Sequence, residues 1–387
     1  MNFNKTSIGS VCSVGDGAHA SISRVDFGVP YLTSKNFNKQ GINLKEVEYI
    51  SELDYSKHFR DNSKAVTKPR ESDLIFSIIG SLGGAYLYRE SDKFGLSSSV
   101  AIIRPDKSKA DPTYLLYFLK SAYLQKWVDS IKSGSAQGFL SLEMIRRLPL
   151  VLSPLPIQTK IASILSAYDE LIENNKQRIK LLEEMAEEIY KEWFVRFRFP
   201  GYESTKFFNE QGKEVPHGTV GALPGGWENS RLESICEFQM GQSPPSEFYN
   251  EQKIGFPFHQ GVTNFSHRFP NHINYCTDLK RVANEGEILL SVRAPVGRIN
   301  VATTKLVIGR GLCSVKHKMN LSNYCYYLLK DVFREEDSFG NGAVFNAVSK
   351  NDLLRIRIIK PANELENHFQ ELVKPMDDEI RILSEKN

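Results

Sequence analysis

A chain of 387 residues, 41% hydrophobic and 11% aromatic, is long enough for two or three domains and too apolar to be disordered. Its net charge of +3 gives no overall basic balance, so any surface for a polyanion must be local. The five cysteines, Cys12, Cys236, Cys276, Cys313 and Cys325, lack CxxC spacing and indicate neither a zinc site nor a disulfide framework.

Residues 1–154 read as a first domain of short strands broken by Gly, Ser and Asn. The apolar runs DLIFSIIG (73–80) and SSVAIIRP (98–105) predict strands, with a turn at the glycine pair of SLGGAYLY between them. PTYLLYFLKSAYLQKWVDSI (112–131) predicts one helix opened by Pro112. A loop, a short helix near 141–146 and a strand in LPLVLSP complete the domain.

Residues 155–199 predict a long helix. Steps of four and three give Ile161, Leu165, Tyr168, Ile172, Asn175, Ile179, Leu182, Ala186, Ile189 and Trp193, an apolar seam with one polar interruption at Asn175. No Gly or Pro occurs between Pro156 and Pro200. At ~1.5 Å per residue this is a rod of roughly 60 Å.

Residues 200–360 repeat the first domain. At a shift of 214, Ser77 falls on Ser291 and Gly83 on Gly297. Pro30 falls on Pro257, Val11-Cys12 on Ile235-Cys236, and Ser141 on Ser349. The collinear order of these matches indicates a duplication. Residues 361–387 repeat only the start of the long helix: at a shift of 208, Phe369, Val373, Met376, Ile380 and Leu383 fall on Ile161, Leu165, Tyr168, Ile172 and Asn175. Pro375 predicts a kink or break there. The fold class is α+β: two pseudo-repeated mixed α/β domains separated by long antiparallel coiled-coil helices. In that pairing Phe369 lies near Trp193, and Asn387 reaches only as far as Asn175.

Catalytic chemistry is missing from the inventory. There is no phosphate-binding GxxxxGK[ST], no GxGxxG after a strand, and no His pair with metal-ligand spacing. SPPS (243–246) lacks the Asn or Asp that an amino-methyltransferase motif places before its prolines, and reads as a turn. What remains is recognition chemistry: polar and basic loops interleaved with aromatics at matching places in both domains. In the first these are Thr33, Lys35, Asn36, Lys64, Lys68, Arg70 and Gln137. In the second they are His259, Gln260, Thr263, Asn264, Arg268, Arg293, Arg298, Arg310 and Asn341. Such side chains read base edges and hold phosphates; ordinary solvated loops carry them too.

The segment from PLPIQTKIASIL to KEWFVRF, the following PGYE, the LPGGWE at 223–228, FQMGQSPPSEFY and ILLSVRAPVGRI together resemble the specificity subunit of type I restriction-modification systems, over nearly the whole chain. The resemblance implies two target recognition domains, each reading one half of a split site in double-stranded DNA. It implies helices that space them and dock two methyltransferase subunits, with a restriction (motor-nuclease) subunit joining for cleavage. The chain itself is then expected to be non-catalytic and to hold no cofactor. S-adenosylmethionine, ATP and Mg, and methylation of adenine at N6, belong to the partner subunits. Ile161, Leu165, Tyr168, Ile172, Asn175, Ile179, Leu182, Ile189, Trp193, Phe369, Met376 and Ile380 are the expected interface residues.

The short last helix departs from the family. It leaves Ile161, Leu165 and Ile172 as an apolar stripe, to be covered by a methyltransferase subunit, a second copy of this chain, or residues lost from a longer parent's C-terminus. Two other readings stand beside the DNA-recognition one: a protein-binding scaffold with two heads on a coiled coil, and an enzyme in its own right. No run of about 18 apolar residues suggests a membrane span. MNFNKTSIGSVCSVG lacks a signal peptide's apolar region, so a reduced, cytoplasmic setting is expected.

Overall fold

The computed structural model describes residues 4–39, 41–61, 66–132, 138–334 and 347–387. Lys64, Gln137 and Asn341 lie outside them. The chain divides into two compact units, Met1–Glu173 and Asn174–Asn387. Among the described residues no helix is long and apolar enough to cross a membrane.

The first unit contains β1 (Asn4–Ser7), β2 (Cys12–Asp16), β3 (Val29–Leu32), β4 (Leu74–Ser77), β5 (Ala85–Leu87), β6 (Gly95–Leu96) and β7 (Val100–Pro105). These are followed by α1 (Pro112–Lys120), α2 (Ala122–Lys132), α3 (Leu142–Arg146), β8 (Pro149–Leu152) and the start of α4 (Leu155–Tyr190). An antiparallel sheet of order β2-β7-β4-β5 is its centre. The unbroken apolar runs of β4 and β7 follow from burial of both sheet faces. Leu74, Phe76, Ala101 and Ile103 pack with Leu115 and Leu119, while Ile75, Val100 and Ile102 pack with Leu32 and Leu96. Asp111 caps α1 through Thr113 N and Tyr114 N, with Pro112 at its first position. The helix expected over 112–131 is two helices. Ser121 is extended between them, with its hydroxyl donating to Phe118 O and accepting from Leu124 N.

The second unit contains β9 (Glu228–Arg231), β10 (Cys236–Met240), β11 (Phe256–His259), β12 (Ile288–Ser291), β13 (Ile299–Val301), β14 (Leu306–Ile308) and β15 (Leu312–His317). Then come α5 (Ser322–Val332), α6 (Lys350–Arg355), β16 (Arg357–Lys360) and α7 (Asn363–Lys386). Its central sheet, β10-β15-β12-β13, has the topology of the first. β1 pairs antiparallel with β8 as β9 does with β16, and β3 lies parallel to β6 as β11 does to β14. The duplication extends to single bonds. Gly84 N donates to Ser77 Oγ at 2.8 Å, and Arg298 N to Ser291 Oγ at 2.9 Å. Gly83 and Gly297, one residue earlier in each turn, both take positive φ. Ser141 caps α3 through Met144 N, and Ser349 caps α6 through Asp352 N.

α4 is 36 residues long, about 54 Å. It ends at Tyr190, earlier than the sequence pattern suggests, and a wide π-type turn over Lys191–Val195 follows. Within the second unit α7 runs antiparallel to the later half of α4. Phe369 lies 5.9 Å from Trp193 between ring centroids, Glu379 pairs with Arg178 at 2.7 Å, and Asn387 Oδ1 accepts from Asn175 Nδ2 at 3.0 Å. Tyr190, Trp193, Phe194, Tyr324 and Phe369 form an aromatic core at that end. Pro375 does not break α7. It sits on the exposed side, where water can satisfy the Glu371 carbonyl that loses its helical donor.

Candidate nucleic-acid interface

The second unit gathers its polar loops where β10, β11 and the β14–β15 turn end together. Backbones meet closely there: Gly309 N donates to His259 O at 2.9 Å and Gly311 N to Gln260 O at 3.0 Å. A Cβ on Gly241 would stand 2.2 Å from Gly309 O, so only glycine fits that crossing. On this support Ser243 Oγ donates to Gln260 Oε1 at 2.9 Å and accepts from Arg310 N at 3.2 Å. Gln260 and Arg310 are exposed, as is Arg293, whose neighbour Val292 donates its N–H to Gly311 O. Thr263 is exposed and Asn264 half-buried in the short turn Val262–Asn264. Arg298 is exposed on the β12–β13 turn. Amide, hydroxyl and guanidinium groups on one glycine-supported edge can donate to phosphates and to base acceptors. Ser243 is a member that the turn reading of SPPS missed; the only sequence signal was its place beside Gly241 in a loop matching that of Gly17.

In the first unit Thr33 is half-buried at the start of the short turn Ser34–Asn36, its N–H donating to Asn36 Oδ1 at 3.0 Å. Lys35 is exposed. Lys68 is half-buried and pairs with Asp61 at 2.7 Å, and the exposed Arg70 donates to Asp61 O. Both basic side chains are thus held at one residue, Lys68 by the carboxylate of Asp61 and Arg70 by its backbone carbonyl.

Three expected DNA-contact residues are corrected by their burial. Asn36 Nδ2 donates to Asn43 O at 3.1 Å and Glu46 O at 2.9 Å, so the side chain holds its own loop. His259 is 2% exposed and bonded to His272 at 3.0 Å; burial, with the neighbouring His272, holds its pKa down to about 4. Arg268 is 4% exposed and paired with Asp377 at 2.7 Å. Burial opposes its charge, but the Asp377 carboxylate together with the Tyr327 and Tyr326 side chains outweighs that and raises its pKa.

The expected interface residues divide by position. Ile161, Leu165 and Tyr168 are exposed (36%, 37% and 63%), and Ile172 is half-buried. Ile164 and Leu171, outside the sequence seam, are exposed beside them. By contrast Asn175, Trp193, Phe369 and Ile380 are buried, and Ile179, Leu182, Ile189 and Met376 are half-buried. Among the described residues no group of three or more His, Cys, Asp or Glu is placed to hold a metal ion.

A duplicated α+β unit with a glycine-supported polar edge and a long shared helix has a close counterpart among known proteins. The type I restriction modification DNA specificity domain matches residues 2–184 and again 224–387. The chain belongs to that family: it is a specificity subunit, the DNA-recognising component of a type I restriction-modification system. It is 30% identical to a candidate type I restriction enzyme specificity subunit, MjaX, of Methanocaldococcus jannaschii, over 98% of this chain and 91% of that protein. The MjaVIII specificity subunit of the same organism is 24% identical over 87% of this chain and 79% of its own length. In fold it is similar to the S subunit of a type I restriction-modification system from M. genitalium, with a TM-score of 0.61, 15% identity, and coverage of 100% of this chain and 92% of that one.

Proposed function

We propose that each unit reads one half of a bipartite double-stranded DNA target, and that α4, which passes from the first unit into the second, sets the length of the unread gap. The observation that carries this reading is the duplication itself. Two copies of one scaffold share the turn bond that the hydroxyls of Ser77 and Ser291 accept, yet differ at the loops that would face DNA. Identical frames with different polar edges suit two different half-sites. The exposed stripe of Ile161, Leu165 and Tyr168 is an apolar surface of the kind that marks a protein interface, and it suits one of two methyltransferase subunits. Residues 1–154 and 200–360 are then the reading domains, and 155–199 and 361–387 the spacing and docking helices.

Chemistry resides on the partners in this reading. Methyltransferase subunits bring S-adenosylmethionine and transfer its methyl group to adenine N6, and a restriction subunit brings ATP and Mg for cleavage. The complex works in the cytoplasm. Incubation with S-adenosylmethionine and DNA, alone and with methyltransferase subunits from a neighbouring reading frame, tests it. Methylation at a bipartite site is expected only in the mixture. Methylation by the chain alone, or no salt-sensitive DNA binding in the mixture, would contradict the proposal.

A further inference from the structure

Arg268 is withdrawn from the surface, and its surroundings give it another task. Its Nη2 pairs with Asp377 Oδ1 on α7 at 2.7 Å, and its Nη1 lies 3.2 Å from the Tyr327 hydroxyl on α5. The guanidinium sits 4.2 Å from the centroid of the Tyr326 ring, with Glu183 of α4 at 3.9 Å. Next to it, His267 Nδ1 lies 3.1 Å from the other Glu183 oxygen. The backbone of the same segment is also held, since Val301 N donates to Arg268 O at 2.8 Å and Asn300 Nδ2 to Ser266 O at 3.1 Å. A segment four residues beyond exposed Thr263 is therefore tied to α4, α5 and α7 by two successive side chains.

The repeat shows what is particular to this unit. Tyr117 donates to Asp169 at 2.8 Å in the first unit, and Tyr327 donates to Asp377 at 2.8 Å in the second. The second unit adds Arg268 to that shared pair and buries it, with Asn323 Nδ2 on the remaining Asp377 oxygen at 2.6 Å. A desolvated guanidinium tolerates only the arrangement that keeps its partners, which makes such a pair better at fixing one register than at adding stability.

We infer that Arg268 is a positioning residue for DNA reading by the second unit, holding the segment that carries Thr263 and Asn264 in one register on the α4–α7 helix pair. The inference rests on the reading in which this unit recognises one half of the target. A buried anchor between reading loop and helix pair also means that whatever shifts α7 against α4 is felt at that half-site.

The test uses the chain assembled with its methyltransferase subunits and a pool of bipartite DNA targets randomised in both halves. Arg268→Met fills similar volume without charge and leaves Asp377 with Tyr327 and Asn323; Asp377→Asn removes the opposite charge at nearly constant shape. Both are expected to lose about tenfold in base discrimination in one half-site only, with the other half-site and the gap unchanged and Arg268→Lys intermediate. Should Arg268→Met fail to fold, Asp377→Asn decides. Wild-type discrimination in that variant, or equal loss in both halves, would overturn the inference alone. A wild-type complex without bipartite preference would overturn the underlying reading and this inference together.

Discussion

At the scale of single residues the repeat supplies its own control experiment. Gln158, buried near the start of α4, accepts from Asp111 N at 2.9 Å and donates to Lys109 O at 3.1 Å and Ser153 O at 2.7 Å. The equivalent residue of α7 is Glu366, fully buried, with His317 Nε2 at 3.7 Å from its carboxyl group. Burial pushes the Glu366 carboxyl up to about 7 and the His317 imidazole down to about 4, so the two face each other neutral near pH 6. The contribution of Glu366, whose folded pKa is raised, is therefore complete below the ordinary Glu range and lost as pH rises through 7, whereas that of His317 is lost as pH falls towards 4. Glu366→Gln, which does not titrate, is therefore expected to stabilise the second unit above pH 7 by about 1–3 kcal/mol and to flatten that pH dependence. Denaturant unfolding at pH 6 and pH 8.5 checks this; an unchanged pH slope would count against it. The same scale shows where the sequence was opaque. Asn36, His259 and Arg268 carry the right chemistry in the right loops, but a polar residue after a strand looks alike whether it faces water or a buried partner. Strand β11 illustrates why: Pro257, Phe258 and His259 are all buried, so period-two alternation was not there to sort them.

Among the elements, the helices were the most legible. A seam with period 3.5 marks α4 in the residues alone, and counting along its shortened copy puts Phe369 beside Trp193 and Asn387 beside Asn175, where both are found. The break at Ser121 was not readable, because Ser is an acceptable helix residue until its hydroxyl finds backbone partners. The two halves of α4 should respond differently to substitution. Phe369→Ala removes a ring from the aromatic core that covers the later half and is expected to cost about 3–5 kcal/mol. Ile161→Glu with Leu165→Glu, on the exposed earlier half, is expected to change stability by less than about 1 kcal/mol. Co-purification with methyltransferase subunits should nevertheless fall sharply for the double variant. Wild-type assembly would show that this stripe is not the docking surface.

For the molecule as a whole, duplication was the feature that composition and motif searches could not supply and collinear matching could. Shifts from 208 to 227 aligned strands, turns and caps, and those alignments recur as the same ladders: β4 on β7 and β12 on β15, β1 on β8 and β9 on β16. What sequence matching could not give is which polar edge each copy presents, because loops that differ between the copies carry no repeat signal. The division of labour that follows from the duplication is the central claim, and exchanging one unit tests it. Residues 1–154 are replaced by those of a relative with another target, and methylated sites are mapped with the partner subunits present. One half-site should change while the other half-site and the gap stay as in the wild type. A change in both halves, or in neither, would contradict it.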